Sequence, residues 1–267
     1  MRIKISILIP VYNGEAFLGE CLKSAASQTF SDYEVIIVND GSTDGSRRIM
    51  NDYYWKLPKC RIYSQENQGI IRTKEKLIAN ATGDYVLFVD QDDYLHPRAL
   101  ERLYQKATAE RADVVKFDHY VVEGEQVIFR SSVGRNPLWT KFIKRTYFLQ
   151  LPLTEFPSVS YLEDEIIAFY TERFDKKEVY LHEALYYHRQ HPKRTMININ
   201  GEQYVNDLIA IFEYLEKQAK VFFRITDQEL LIWLKERKDY LQFIVPDDQK
   251  RYKATIEAYY LRKKKSK

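Results

Sequence analysis

Asp90, Asp92 and Asp93 fall within the four-residue run Asp90-Gln91-Asp92-Asp93, directly after the apolar stretch YVLFV at 85–89. Carboxylates this close repel one another, and a divalent cation with oxygen ligands is the ordinary remedy. Mg²⁺ or Mn²⁺ in that place would also hold a diphosphate and screen its charge as it leaves. The competing reading is a solvated acidic turn that caps a helix starting near Pro97, and a lone Asp-x-Asp is a weak motif. Asn13 follows another apolar run, IKISILI at 3–9, and Asp40 follows a third, YEVIIV at 33–38.

Residues so far apart in sequence need a scaffold that gathers them. The three apolar runs, with a further one at 60–64, read as buried strands. Between them lie helical patterns at 15–27 (Phe17, Leu18, Leu22, Ala25), from Ser46 to about Trp55, and at 70–81. Four alternations in the first ninety residues predict an α/β fold with a mostly parallel central sheet and helices on both faces. Sites in such sheets lie at the carboxyl ends of the strands. Asn13, Asp40 and the Asp90–Asp93 run all fall there, so they are expected to meet in one crevice.

From about residue 113 the rhythm changes. ADVVKFDHYVVEGEQVIF alternates like an antiparallel hairpin turning near Gly124. Helical patterns follow at 137–149 and 161–173, then a strand at 177–187 and a loop at 188–200. Beyond Gly201 the chain reads as helices, ending in the basic run RKKKSK. The expected division is a catalytic domain over 1–200 and a C-terminal helical extension over 201–267.

Composition sets outer limits. The chain has 267 residues, 45% of them hydrophobic, so a substantial core is affordable in size. Its formal charge of +3 argues against a dedicated nucleic-acid binder. Cys21 and Cys60 lack any CxxC or histidine companion, which points to neither a zinc site nor a disulfide framework. No apolar stretch reaches the length of a membrane span. A cytoplasmic protein is expected, or one seated peripherally on the inner face of the cell membrane through its basic C-terminus.

Taken together, ILIPVYNGE, VIIVNDGSTDGS, ENQG and ATGDYVLFVDQDD, in this order and spacing, resemble family 2 of the inverting glycosyltransferases, which have the GT-A fold. The likeness is detailed over 3–104, looser over 136–196, and fades after 200. It implies that Pro10, Tyr12 and Asn13 border a nucleotide base and that Asp40 bonds a uracil ring, a role that suits a carboxylate facing a pyrimidine N–H. An Asx-turn before Gly41 would account for Asp40 equally well. Asn67 of ENQG and Lys74 join the implied donor contacts, although Lys74-Glu75 and Leu77 replace the family's Arg-Asn pair and following glycine. A solvated basic helix face is the alternative for Lys74.

By the same resemblance Asp92 ligates the metal, with Asp90 on the ribose or the metal's water shell and Asp93 near the donor sugar or capping the next helix. SYLEDEIIAFY at 160–170 resembles the stretch that carries the general base, here Asp164, with Glu163 or Glu165 as the other carboxylates for that role and helix-terminus charge as the alternative. Trp139 of NPLWTKFIKR borders an acceptor region or packs in the core. YYHRQHPKRTM resembles a loop closing over donor phosphates, with Arg189 and His191 as pyrophosphate or metal contacts. The implied activity is transfer of one sugar from a nucleotide diphosphate, with UDP the expected carrier, to a hydroxyl of a glycan or lipid-linked glycan, as in bacterial polysaccharide or lipopolysaccharide synthesis. A catalytically inactive nucleotide-sugar-binding scaffold is the rival reading, favoured by the departure at Lys74.

Overall fold

The computed structural model describes residues 2–133, 137–150, 157, 159, 166, 167, 169–171, 176–192, 200–223, 226, 228, 230, 232 and 249–265. The chain divides into two compact units, Met1–Leu151 with Asp175–Gln190, and Pro152–Phe174 with His191–Lys267.

The first unit is built on a nine-stranded sheet. Its strands are β1 (Ile5–Val11), β2 (Tyr33–Asp40), β3 (Arg61–Gln65), β4 (Tyr85–Phe88), β5 (Tyr94–Leu95), β6 (Val114–Glu123), β7 (Gln126–Arg130), β8 (Lys141–Lys144) and β9 (Glu178–Gln190). They lie side by side in the order β3-β2-β1-β4-β8-β6-β9-β5, with β7 paired to β6. The β3-β2-β1-β4 half is parallel. Beyond it the sheet is mixed, since β8 runs antiparallel to both β4 and β6 while β9 runs parallel to β6. Helices α1 (Leu18–Ala26), α2 (Ser46–Tyr53), α3 (Ile70–Asn80) and α4 (Ala99–Glu110) provide the connections.

Hydrophobic burial explains why the runs become strands. β1 and β2 are buried along their whole lengths, as befits strands covered on both faces. Ile5, Ile7, Ile9, Val35 and Ile37 join Leu18, Leu22 and Leu103 in one core.

Several boundaries differ from the sequence reading. β1 runs through Pro10 to Val11: pairing with β4 stops at Leu8, so a residue without an N–H is tolerated where only β2 lies alongside. β2 extends to Asp40 because β3 keeps pace with it, Asp40 opposite Gln65. The segment expected to be helical over 137–149 is instead a 3-10 turn at Leu138–Thr140, strand β8 and a short helix α5 (Arg145–Phe148). A four-residue strand between two neighbours has no room to show its period, and tertiary pairing decides it. The loop expected from 188 begins later, since β9 carries His188, Arg189 and Gln190 in register with β6.

The second unit contains helices α6 (Gly201–Phe223) and α7 (Gln249–Lys265). Phe212 meets Tyr259 edge-on, and Tyr259 donates to Glu213 at 2.9 Å, so the two helices pack through an amphipathic seam. Among the described residues no helix is long and apolar enough to cross a membrane.

Candidate active site

The carboxyl ends of β1, β2, β3 and β4 carry loops that hydrogen bonds tie into one continuous rim. At its centre is the segment after β1. Asn13 adopts φ 49°, a left-handed conformation that asparagine tolerates. This turns its amide toward the next loop, where Asn13 Oδ1 accepts from the Thr43 N–H at 2.8 Å. The Asn13 and Gly14 N–H groups donate to the hydroxyls of Ser42 and Ser46 at 3.0 and 2.8 Å. Asp44 accepts from the backbone N–H groups of Glu15 and Ser46. Burial raises the Asp44 pKa, but a hydrogen bond from the Ser46 side chain together with those backbone bonds outweighs it and holds the carboxyl below its ordinary value.

Asp40, at the end of β2, organises the next stretch of rim. Its Oδ1 accepts from Gln65 Nε2 and the Gln68 N–H, and its Oδ2 from the Gly69 N–H, each at 2.9 Å. The ENQG turn is thus folded around Asp40. Gly41 is required beside it: its φ is +75°, and a Cβ there would lie 2.8 Å from the Asn67 backbone nitrogen. Asn67 is exposed on this turn and accepts from Gly69.

The Asp90–Asp93 loop closes the rim on the other side. Gln91 grips Tyr12 from both directions, Oε1 accepting from the Tyr12 N–H at 2.9 Å and Nε2 donating to its carbonyl at 2.8 Å. The remaining support comes from β9. The Tyr186 hydroxyl donates to Asp93 Oδ2 at 2.8 Å while accepting from the Asp90 N–H at 3.0 Å. Burial, with Asp93 and Asp90 nearby, pushes the Tyr186 pKa well above its usual value, so the phenol keeps the proton it donates. His188 Nδ1 lies 3.0 Å from Asp93, and the Arg189 N–H donates to the same carboxylate at 2.8 Å. The Arg189 guanidinium reaches the Asp92 carbonyl through Nε at 2.9 Å, pairs with Glu20, and lies over Phe17 and Tyr94.

The structure therefore brings Pro10, Tyr12, Asn13, Asp40, Asn67, Asp90, Asp92 and Arg189 to one rim. Tyr12 is exposed, and Asp90 and Asp92 are half-buried. Asp93 is only 1% exposed and accepts three hydrogen bonds from β9, which makes it the loop's anchor. Trp139 is stacked on Tyr186 and His188, with ring centroids 4.8 and 4.6 Å away. Lys74 does not lie on a solvated face: it is buried on α3 with Thr73 and Leu77, while Arg72 pairs outward with Glu75. Asp164 lies outside the described residues. His191 belongs to the second unit.

Hard oxygen donors at one loop suit a hard cation. Two carboxylates, completed by diphosphate oxygens and water, form a set that Mg²⁺ or Mn²⁺ accepts. Among the described residues no group of three His, Cys, Asp or Glu side chains gathers for a metal, so the donor set fits a cation shared with a diphosphate better than an all-protein cage. Sequence reasoning assigned no role to Gln91, Tyr186 or His188. Their importance is positional, and only the strand register reveals it.

The model of glycosyl transferase family 2 matches residues 6–164, more than half of the chain. The chain belongs to that family. Among family relatives, an uncharacterised Bacillus subtilis glycosyltransferase, EpsJ, is 28% identical over 82% of this chain and 69% of its own length. Streptococcus pneumoniae glycosyltransferase GlyA is 35% identical over 47% of this chain and only 18% of its own length. The putative glycosyltransferase EpsH of Bacillus subtilis is matched over 61% of its length, so the chain spans only part of some relatives. The GT-A architecture is shared with S. aureus TarS, residues 1–349, solved with UDP-GlcNAc: 21% identity, 96% of this chain and 91% of that one, TM-score 0.67. A mannosyltransferase from Pyrobaculum calidifontis, PcManGT, solved with GDP-Man and Mn²⁺, has 12% identity over 98% and 86% of the two chains, with TM-score 0.57.

Proposed function

We propose that this family 2 chain transfers one sugar, with inversion, from a nucleotide diphosphate to a hydroxyl of a glycan or lipid-linked glycan. The supporting observation is the bonded rim itself, which holds the segments at Pro10–Asn13, Asp40, Asn67 and Asp90–Asp92 side by side at the carboxyl ends of parallel strands. UDP is the proposed carrier, because Asp40 suits a uracil N–H and TarS binds UDP-GlcNAc in the same fold. A bacterial surface polysaccharide is the proposed destination of the sugar.

In this reading Tyr12 and Asn13 border the base and Asp40 orients it. Asp90 and Asp92 would hold the divalent cation, and His191 does not join them, since among the described residues no third carboxylate, histidine or cysteine gathers with that pair. A cation bound there supplies Lewis-acid stabilisation of the departing diphosphate. Asp164 takes the proton from the attacking hydroxyl, which is too weak a nucleophile to react with its proton in place. Lys74 is the proposed positive charge toward the diphosphate, and Arg189 acts on the site through the Asp92 carbonyl.

The test is a thermal-shift screen of nucleotide diphosphates and nucleotide sugars, with and without Mn²⁺. Stabilisation by UDP and UDP-sugars that requires Mn²⁺ is the expected result. Absence of any shift under every metal would replace this reading with that of an inactive scaffold.

A further inference from the structure

The residue between the two proposed metal ligands is itself the link to the base side of the site. Gln91 forms two hydrogen bonds to one residue, Tyr12, at 2.9 and 2.8 Å. Both involve Tyr12's backbone, so they fix the chain path of the segment after β1 and leave the Tyr12 ring free to meet a ligand. Contact is close: a Cβ on Gly14 would lie 2.4 Å from Gln91 Oε1, so the amide occupies the space that a side chain at 14 would take. Beyond Tyr12 the path continues through Asn13 to Thr43 and Ser42, which Gly41 separates from Asp40. At its other end, the Gln91 backbone is flanked by Asp90, whose N–H is held by Tyr186, and by Asp92, whose carbonyl is held by Arg189. Gln91 thus sits on a loop braced from β9, and its side chain reaches across to the segment that borders the base.

We propose that Gln91 is a positioning residue that couples cation binding at Asp90 and Asp92 to nucleoside binding at Tyr12, Asn13 and Asp40. The inference rests on the function proposed above. An occupied cation site favours one arrangement of the Asp90–Asp92 backbone, and the two Gln91 bonds pass that preference to Tyr12. Coupling of this kind is reciprocal, so a bound nucleoside tightens the cation by the same factor. A nucleotide diphosphate would mask the effect, because its phosphates would themselves be candidate ligands of the cation. Uridine has no phosphate, so any influence of Mn²⁺ on uridine binding must travel through the protein.

The experiment is titration of the full chain with uridine, and separately with UDP, in the presence and absence of MnCl₂, followed by ligand-observed NMR and calorimetry. The wild-type protein is expected to bind uridine about fivefold more tightly with Mn²⁺. Gln91→Met, which keeps the bulk over Gly14 but cannot form either bond, should bring that ratio to about one while UDP still binds with Mn²⁺. Gln91→Ala should do the same, and the melting temperature of each variant reports on folding independently. If UDP binds the wild-type protein with Mn²⁺ but uridine is indifferent to the metal, the coupling is overturned and the donor site stands. The coupling is also overturned if Gln91→Met retains the full ratio. If wild-type protein binds no UDP with or without Mn²⁺, the donor-site reading fails, and this inference with it.

Discussion

Asp92 and Asp93 are neighbours with opposite surroundings, and mutation should separate them. Asp93 is sealed and satisfied by Tyr186, His188 and the Arg189 N–H. Asp93→Ala strands buried donors, so we expect a loss of about 2 to 3 kcal/mol in stability, read as a lower urea midpoint. Asp92 is half-buried at the rim. Asp92→Ala should leave the unfolding free energy within about 0.5 kcal/mol of wild type yet abolish the Mn²⁺ dependence of UDP binding. An equal loss of stability in both variants would remove the distinction between anchor and ligand. Asp164 makes a third case, that of the proposed base. Asp164→Asn should lower kcat by about 10²- to 10⁴-fold with UDP-sugar affinity unchanged, and retained turnover would place the base elsewhere.

At the scale of elements, the opposite end of the sheet shows what holds the strands in register. Glu34 on β2 is 3% exposed and accepts from Ser6 of β1 at 2.6 Å, from Thr82 at 2.7 and 2.9 Å, and from Arg61 of β3 at 2.5 Å. One carboxylate thereby joins three strands and the turn before β4. Burial raises its pKa, but bonds from Ser6 and Thr82, with the Arg61 charge, hold it below the ordinary 4.5. The folded value is the lower one, so Glu34 stabilises the protein fully at neutral pH. That contribution fades as acid takes the pH below the unfolded carboxyl's range and through the depressed folded value. Arg61 is about one-third exposed, which softens the loss. We expect Glu34→Ala to cost about 2 to 3 kcal/mol at pH 7, measured by urea unfolding, and clearly less below pH 4 as the native carboxyl protonates. A penalty unchanged across that range would show that packing, not charge, is what Glu34 supplies.

None of this network was legible in the sequence, where Glu34 is one acid among 38 Asp and Glu residues. Periodicity did reveal the parallel half, because buried strands such as YEVIIV and connecting helices such as α3 have long, unambiguous patterns. It failed on β5 and β8, which are two and four residues long and exist only through their partners. The site residues carried by turn motifs, Asn13, Asp40 and Asp90–Asp92, were legible because polar groups at strand ends stand out from apolar runs. The supports on β9 were not. Tyr186 and His188 face Asp93 only because β5 brings Tyr94 opposite Tyr187, a register that no local pattern announces.

For the molecule as a whole, the remaining question is how its charge is used. The net charge of +3 is small, yet the last six residues, RKKKSK, carry five of the basic groups. In the second unit Lys263 pairs with Glu216 at 2.6 Å and Arg262 lies over Tyr259, so these two belong to the packing of α7 on α6. Removing the entire tail would therefore disturb the unit and confuse a binding test. Neutralising Lys264, Lys265 and Lys267 to glutamine leaves Arg262 and Lys263 in place and removes three of the five basic groups of that run. Each basic residue near an anionic bilayer contributes about 1 kcal/mol, so three contribute on the order of 3 kcal/mol, about a hundredfold in partitioning. If the tail seats the protein on a membrane, vesicles rich in anionic lipid should deplete the wild-type protein from solution, and about a hundredfold more lipid should be needed for the triple variant. Salt should erase the difference, because surface charges are screened within about 10 Å at 0.1 M. Equal depletion of both proteins, or none of either, would leave the tail without a role at the bilayer.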